Sequence, residues 1–510
     1  MKHARLLSAM LAACMLAGSC ITPAAVSADD DYPEEQIRYG DVNLDSSVDV
    51  ADAVAVARYY TMDWDLRLTD QGKMQGDVNR DGNLDDADLR QILLYIARQV
   101  DELGVPMLTS EPNYQAMNLM DDVTAEIVNG KDADEAFIDS QMKLTVDLFK
   151  GAAKDEQSEG KDLLVSPLSV SQAIAMAANG ANGTTKEEME KLLGDTLDID
   201  ALNQYYYRYT KNLTQASGAD VHLANSLWVR DNEAAIRVPE QFLQTTADYY
   251  GADAFKAPFD DTTVKDVNDW VSYHTHSMIP SLIDHIDPNW IMILINALAF
   301  EAEWADPYNE YSVSDGTFHA YDKNLTAEMM YGDEYTYLLD ENATGFMKPY
   351  KGGEYSFAAI LPDESVTVSE YIDSMTADSL KKLLNSKQNT KVETMLPKFK
   401  YEYSLTMNKM LEALGMKTAF DPNTADFTGL NSLGDTWIDT VLHKTFIQVD
   451  DRGTKAAAVT AVFAAGCAME PEPPKRVYLD RPFIYMIVDN STNLPIFIGY
   501  VLHPTEVEAE

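Results

Sequence analysis

Val449-Asp450-Asp451-Arg452-Gly453-Thr454-Lys455-Ala456-Ala457-Ala458-Val459-Thr460-Ala461-Val462-Phe463 is the stretch on which the architecture turns. A polar turn ends at Gly453, and a run of small and β-branched residues follows with one charge, Lys455, and no proline. As a strand, the run would place Thr454, Ala456, Ala458, Thr460, Val462 and Ala464 on one face, because successive side chains alternate. Lys455, Ala457, Val459, Ala461 and Phe463 would share the other. The first face can then be buried without stranding an ammonium, and without proline both edges can be paired with no missing donor. Alone, the run fits an insertable strand no better than the plainer alternatives, a buried small-residue helix or an ordinary core strand. Its sequel, Gly466-Cys467-Ala468-Met469-Glu470-Pro471-Glu472-Pro473-Pro474, is a solvated, proline-rich exit that joins the insertable run to an exposed loop.

Five further segments occur in order between Phe137 and Pro504. They are Val165-Ser166-Pro167-Leu168-Ser169, Asn296-Ala297-Leu298-Ala299-Phe300-Glu301-Ala302-Glu303-Trp304, Pro349-Tyr350-Lys351-Gly352-Gly353, Leu396-Pro397-Lys398-Phe399 and Asp480-Arg481-Pro482-Phe483-Ile484-Tyr485. With the hinge-like run they resemble the serpins, the serine protease inhibitor family. The resemblance implies an α+β fold of three β-sheets and about nine helices, with an exposed reactive-centre loop hinged at Gly453, Thr454, Lys455, Ala456, Ala457 and Ala458. It implies a reactive bond between Cys467 and Ala468, with Met469 and Glu470 as the alternative. It also implies a buried polar network of Ser166, Ser169, Asn296 and His443 under the central sheet. Asp451, Lys398 and Trp304 would lie at the top of that sheet, with Asp451 and Lys398 as an ion pair. The implied activity is suicide-substrate inhibition. Either bond offers an uncharged residue, which favours a subtilisin-, elastase- or papain-like target over a trypsin-like one.

Local patterns agree with a mixed fold. Phe137 to Lys154 is amphipathic, with Leu144, Thr145, Leu148 and Phe149 on one helical face. Thr184 or Thr185 followed by Glu187 or Glu188 reads as a capping box, and Trp270 to Ile283 as a further amphipathic segment. Trp290–Phe300, Val392–Phe399, Trp437–Val449, Phe483–Val488 and Ile496–Val501 read as strands. Helices first and strands later suggest α+β.

At 510 residues, with 46% apolar content, the chain can hold one large domain and one small one. Its formal charge of -44 argues against nucleic acid or an anionic membrane as partner. Residues 1–28 read as a signal peptide: Lys2, His3 and Arg5, an apolar core from Leu6 to Ala17, and the cleavage site Val26-Ser27-Ala28. The expected location is therefore extracellular. Ala17-Gly18-Ser19-Cys20 offers lipoprotein anchoring at Cys20 as the alternative. Removing the signal would leave Cys467 as the only cysteine, so no intramolecular disulfide can form.

Near the front, Gly40-Asp41-Val42-Asn43-Leu44-Asp45 and Gly76-Asp77-Val78-Asn79-Arg80-Asp81 open two similar loops. Asp41, Asn43, Asp45, Asp49 and Asp52 in the first, and Asp77, Asn79, Asp81, Asp85 and Asp88 in the second, fall at positions 1, 3, 5, 9 and 12 of a calcium loop. Gly82 takes the sharp sixth position of the second loop, where the first has Ser46. Each loop leads into an apolar helical run, Ala53 to Tyr60 and Leu89 to Val100. The duplicated unit resembles a dockerin, a small all-α calcium-binding module that plugs cellulosomal proteins into the cohesins of a scaffold. By that resemblance Val50, Ala51, Asp86 and Ala87 would read the cohesin, and two Ca²⁺ ions would be bound. The serpin-like part implies no cofactor. The expected layout is a signal peptide at 1–28, dockerin at 37–103, linker at 104–135 and serpin domain at 136–505. Tyr114 to Val128 is apolar enough to dock as a helix.

Dockerins commonly carry hydrolases, so an enzyme is the competing class, and a non-inhibitory serpin-like protein is a further alternative. No His-Glu-x-x-His or Gly-x-Ser-x-Gly occurs. His274 and His276, two apart on an expected helix, would not face each other. A glycosidase pair among 83 acidic residues would be invisible. Cys467 reads as a free thiol, having no histidine nearby in sequence.

Overall fold

Met292–Glu303 is apolar at nearly every position, which suits a strand covered on both faces. In a computed structural model it is the middle of the central sheet. The structure describes residues 38–45, 47–60, 68–78, 84, 86–96, 111–215, 218–232, 236–454 and 474–507. The chain divides into two compact units, Met1–Thr109 and Ser110–Glu510.

In the second unit, sixteen strands are described. β1 (Met117–Asn118), β2 (Leu163–Val165), β3 (Ala219–Arg230), β4 (Asp253–Ala257), β5 (Met292–Glu303), β6 (Val313–His319), β7 (Asn324–Leu339) and β8 (Ala343–Pro349) come first. β9 (Tyr355–Pro362), β10 (Gln388–Pro397), β11 (Phe399–Thr406), β12 (Thr440–Val449), β13 (Gly453–Thr454), β14 (Lys475–Tyr478), β15 (Phe483–Asp489) and β16 (Pro495–Val501) follow. The central sheet runs β1-β4-β3-β5-β13-β12-β11. The other runs β14-β10-β7-β8-β9-β15-β16-β2, with β6 on β7. The three expected sheets thus appear as two hydrogen-bonded networks. The reason is β7, whose N-terminal part pairs with β6 and whose C-terminal end pairs with β8, while β10 runs alongside. Nine α-helices are described in this unit, beginning with Glu135–Lys154.

Alternation along β5 builds two cores. Met292, Leu294, Leu298, Phe300 and Ala302 join the large core beneath the sheet, which includes Leu144, Leu148 and Phe149 of the first helix. Ile293, Ile295 and Ala297 join a second core under the helix Asp261–His274, with Trp228, Phe255 and Trp270. A polar residue on the large-core face of β5 must therefore find its partner inside protein. Asn296 is that residue.

Three local expectations are corrected. The helix Gly183–Gly194 starts from Asn182 with no side-chain cap, and Thr185 instead accepts the Asp426 N–H. The helix Asp261–His274 stops short of Ile283, because His276 and Ser277 both adopt positive φ. The expected linker is docked from residue 111 onward: β1 pairs with β4, and Asp266 accepts the N–H groups of Gln115 and Ala116. It docks as an edge strand rather than a helix.

In the first unit, helices Val50–Tyr60, Asp70–Gly76 and Asp86–Ile96 enclose Val42, Ala53, Val56, Val78, Leu89 and Ile92. Among the described residues no helix is long and apolar enough to cross a membrane.

Candidate functional site

The seam between β5 and β12 is the distinctive feature of the central sheet. These strands are parallel and paired from Thr440↔Ile293 to Thr445↔Leu298. Beyond that, no pairing among the described residues joins 299–301 to 446–448. At the mouth of this gap sits β13. Gly453 pairs with Glu303 and Thr454 with Ala302 of β5, while Thr454 also pairs with Val449 of β12. The hinge thus already occupies the first two places of a strand between the two. Gly453 is dictated by close approach, since a Cβ there would lie 2.1 Å from the Ala302 carbonyl oxygen.

The turn ahead of Gly453 is held from several directions. Asp450 accepts the Arg452 and Gly453 N–H groups at 2.8 and 3.2 Å, and burial raises its carboxyl above the ordinary range. Trp304 donates its indole N–H to the Asp450 carbonyl and its backbone N–H to the Arg452 carbonyl, both at 2.9 Å. Lys398 and Asp451 form the ion pair, 2.8 Å apart, with Glu328 3.5 Å from the same ammonium. Burial by itself would lower the Lys398 pKa, but Asp451 and Glu328 outweigh it and hold it above its ordinary value. Thr454 is buried, and its hydroxyl lies 2.6 Å from that of Tyr350.

Lower down the seam, the expected polar network is assembled entirely in the interior. Ser166, Ser169, Asn296 and His443 are all buried. Ser166 caps the helix Pro167–Ala178 by accepting the Ser169 N–H. Ser169 donates its hydroxyl to Asn296 Oδ1 at 3.1 Å, and Asn296 Nδ2 donates to the Leu442 carbonyl at 3.2 Å. His443 Nε2 accepts the Ser166 N–H at 3.2 Å, which leaves the ring proton on Nδ1, 2.5 Å from Asn296 Oδ1. Burial pushes the imidazole pKa down to about 3. Because Asn296 is on β5 and His443 on β12, opposite each other, the network staples the closed part of the seam.

Lys455, Ala456, Ala457, Ala458, Cys467, Ala468, Met469 and Glu470 lie outside the described residues, as do residues 1–28 and the positions of Asn79, Asp81 and Asp85. Sequence reasoning gave Tyr350 and Asp450 no role. Pro349-Tyr350 was visible as a segment, but nothing in it announced a bond to residue 454. His274 packs on Trp270 and His276 against His222, so the two do not converge.

In the first of the two repeated loops, the Asp41 carboxylate turns inward to accept the Asp45 N–H. Asp52, fully buried, accepts the N–H groups of Val42, Asn43 and Asp49. Burial, with Asp41 nearby, raises the Asp52 pKa. Asp41, Asn43, Asp45, Asp49 and Asp52 offer oxygen donors only, the chemistry a hard divalent cation takes, although among the described residues no three carboxylates converge into a metal-holding cluster. Val50 is exposed at the start of its helix, with Ala51 beside it half-buried. Asp86 and Ala87 begin the helix Asp86–Ile96.

Comparison with known proteins agrees with this geometry. Residues 139–504 match the serpin (serine protease inhibitor) family and residues 39–97 the dockerin type I domain. The chain is 30% identical to a serpin-like protein of Thermococcus kodakarensis over 71% of this chain and 84% of that one. It is 31% identical to leukocyte elastase inhibitor A of Rattus norvegicus over 68% of this chain and 95% of that one. The crystal structure of the thermophilic serpin tengpin in its native state superposes with a TM-score of 0.72 at 46% identity, covering 76% of this chain and all of tengpin. The latent state of tengpin gives 0.64 at 42% identity, covering 74% of this chain and all of tengpin.

Proposed function

Because this chain belongs to the serpin family of protease inhibitors and carries a type I dockerin domain, we propose that it is a secreted suicide-substrate inhibitor moored to a cohesin-bearing scaffold. A target protease attacks the exposed loop as substrate and forms an acyl-enzyme on its own serine or cysteine. The severed loop then enters between β5 and β12 as a new strand, carrying the tethered enzyme with it. One observation supports this above the others: the seam is closed below, open at 299–301 and 446–448, and has the hinge seated in its mouth.

Cleavage falls at Cys467–Ala468, or else at Met469–Glu470. Both suit a pocket without a carboxylate, as in subtilisin-, elastase- or papain-like enzymes. The likeness to proteins named leukocyte elastase inhibitors favours the elastase-like class. In the dockerin, Asp41, Asn43, Asp45, Asp49 and Asp52 would hold one Ca²⁺ and Asp77, Asn79, Asp81, Asp85 and Asp88 a second. Bound calcium would tie each loop to the start of its helix, where Val50, Ala51, Asp86 and Ala87 face the cohesin.

Incubation with a panel of proteases tests the reading. An SDS-stable complex with release of a C-terminal peptide beginning at Ala468 or Glu470 is expected, whereas turnover without any complex contradicts inhibition. Chelating calcium is expected to abolish capture by a cohesin while leaving complex formation unchanged. Loss of both together would contradict the division of labour between the two domains.

A further inference from the structure

Tyr350 lies immediately after β8, and its backbone is fixed against the end of β5. Its N–H donates to the Tyr355 carbonyl, and its neighbour Lys351 donates to the Glu303 carbonyl. The ring stacks on Trp304 at 4.6 Å and 12° and meets Phe300 edge-on at 5.1 Å. Trp304 is itself pinned to the Asp450–Arg452 turn by two hydrogen bonds. The phenol therefore has little freedom, and its fully buried hydroxyl is held 2.6 Å from Thr454 Oγ1. Burial keeps that hydroxyl protonated by raising its pKa far above the usual phenol range.

We propose that Tyr350 is a positioning residue for loop insertion: its hydroxyl latches Thr454 in the seat between β5 and β12, so that the new strand starts in register before the loop is cut. This rests on the insertion mechanism above. A strand that adds to a gap must first fix a register, and a slip of one residue would turn every side chain of the run to the opposite face. Thr454 shares its face with Ala456, Ala458, Thr460, Val462 and Ala464, so anchoring Thr454 assigns that entire set to the buried side. Three backbone pairings, two to β5 and one to β12, are a weak nucleus by themselves. The side-chain bond adds a contact that a slipped register would leave buried and unpaired.

The test compares the wild type, Tyr350→Phe, Thr454→Val and the double variant. Tyr350→Phe retains the ring stack but strands the Thr454 hydroxyl. Amide exchange in a hinge peptide ending at Thr454 is expected to speed up about fivefold, the factor corresponding to about 1 kcal/mol. The number of inhibitor molecules consumed per protease trapped is expected to rise roughly severalfold, because slower insertion gives deacylation more time. The double variant, which leaves neither hydroxyl orphaned, is expected to recover most of both losses. A Tyr350→Phe protein that melts lower but shows wild-type hinge exchange and trapping ratio would reduce Tyr350 to a packing residue and overturn the proposal. If the wild type traps no protease, the inhibitory reading fails, and the latch stands or falls on hinge exchange alone.

Discussion

A single cut at Cys467–Ala468 or Met469–Glu470 is expected to raise the melting temperature of the serpin domain by on the order of 10–20 °C. About thirteen residues from Thr454 onward can enter, and at ~3.3 Å each they span roughly 40 Å. That is comparable with the length of β5, which has 12 residues. At ~1 kcal/mol net per backbone hydrogen bond, the added strand contributes on the order of 10 kcal/mol. This rivals the whole stability of an ordinary domain. By the proposed mechanism, the same free energy, released while the acyl-enzyme is intact, would be available to distort the protease. Calorimetry of the intact and singly cleaved protein measures the difference, and coincident melting curves would contradict insertion.

The second large effect concerns acid. His443 is neutral in the fold, its pKa lowered by burial from 6.5 to about 3. Between those values the unfolded chain binds a proton that the folded chain refuses, so stability rises with pH across this window. It is therefore full above about pH 6.5 and declines as pH falls toward 3. The total at stake is on the order of 5 kcal/mol. His443→Gln removes the titration while keeping a group that can hydrogen-bond to Asn296. Denaturant melts at pH 7 and pH 4.5 are expected to show a markedly smaller acid loss in the variant. Equal losses in both proteins would mean that His443 is not the group that opposes folding in acid. The consequence for function lies in the location of the staple, since Asn296 and His443 join β5 to β12 at the seam that the proposed insertion would part.

The seating of Gly453 and Thr454 was legible only because the small-residue run opens onto an exposed, proline-rich exit and stands among five other family-like segments, since the run by itself also fits an ordinary core strand. Ser166, Ser169, Asn296 and His443 were legible through family resemblance, with Asn296 and His443 further marked as polar residues in apolar strands that have to find buried partners. Lys398 and Asp451 were legible in the same way. Tyr350 was not, because a tyrosine beside a strand looks like any core aromatic until its hydroxyl is traced to a residue 104 positions away. The docking of residues 111–134 was obscured by their acidic, proline-punctuated composition. The pairing of Met117 and Asn118 with β4 and the use of Asp266 to hold the neighbouring amides set the stretch on the sheet edge, and bonds such as Leu119 N–H to the Ala254 carbonyl and Lys131 N–H to the Gln204 carbonyl hold it further along. Thr185 misled as a cap because its hydroxyl serves a contact with Asp426, far along the chain. The merger of two sheets through β7 depends on one strand of 16 residues being shared, which pattern alone does not specify.

Hydrogen exchange at the amides of 299–301 and 446–448, before and after loop cleavage, tests the central claim most directly. These stretches border the open part of the seam and have no pairing across it among the described residues. If the cut loop becomes a strand there, both stretches gain protection together, on the β12 side and the β5 side alike. If their exchange rates stay as they were in the intact protein, no strand has entered and the inhibitory mechanism is contradicted.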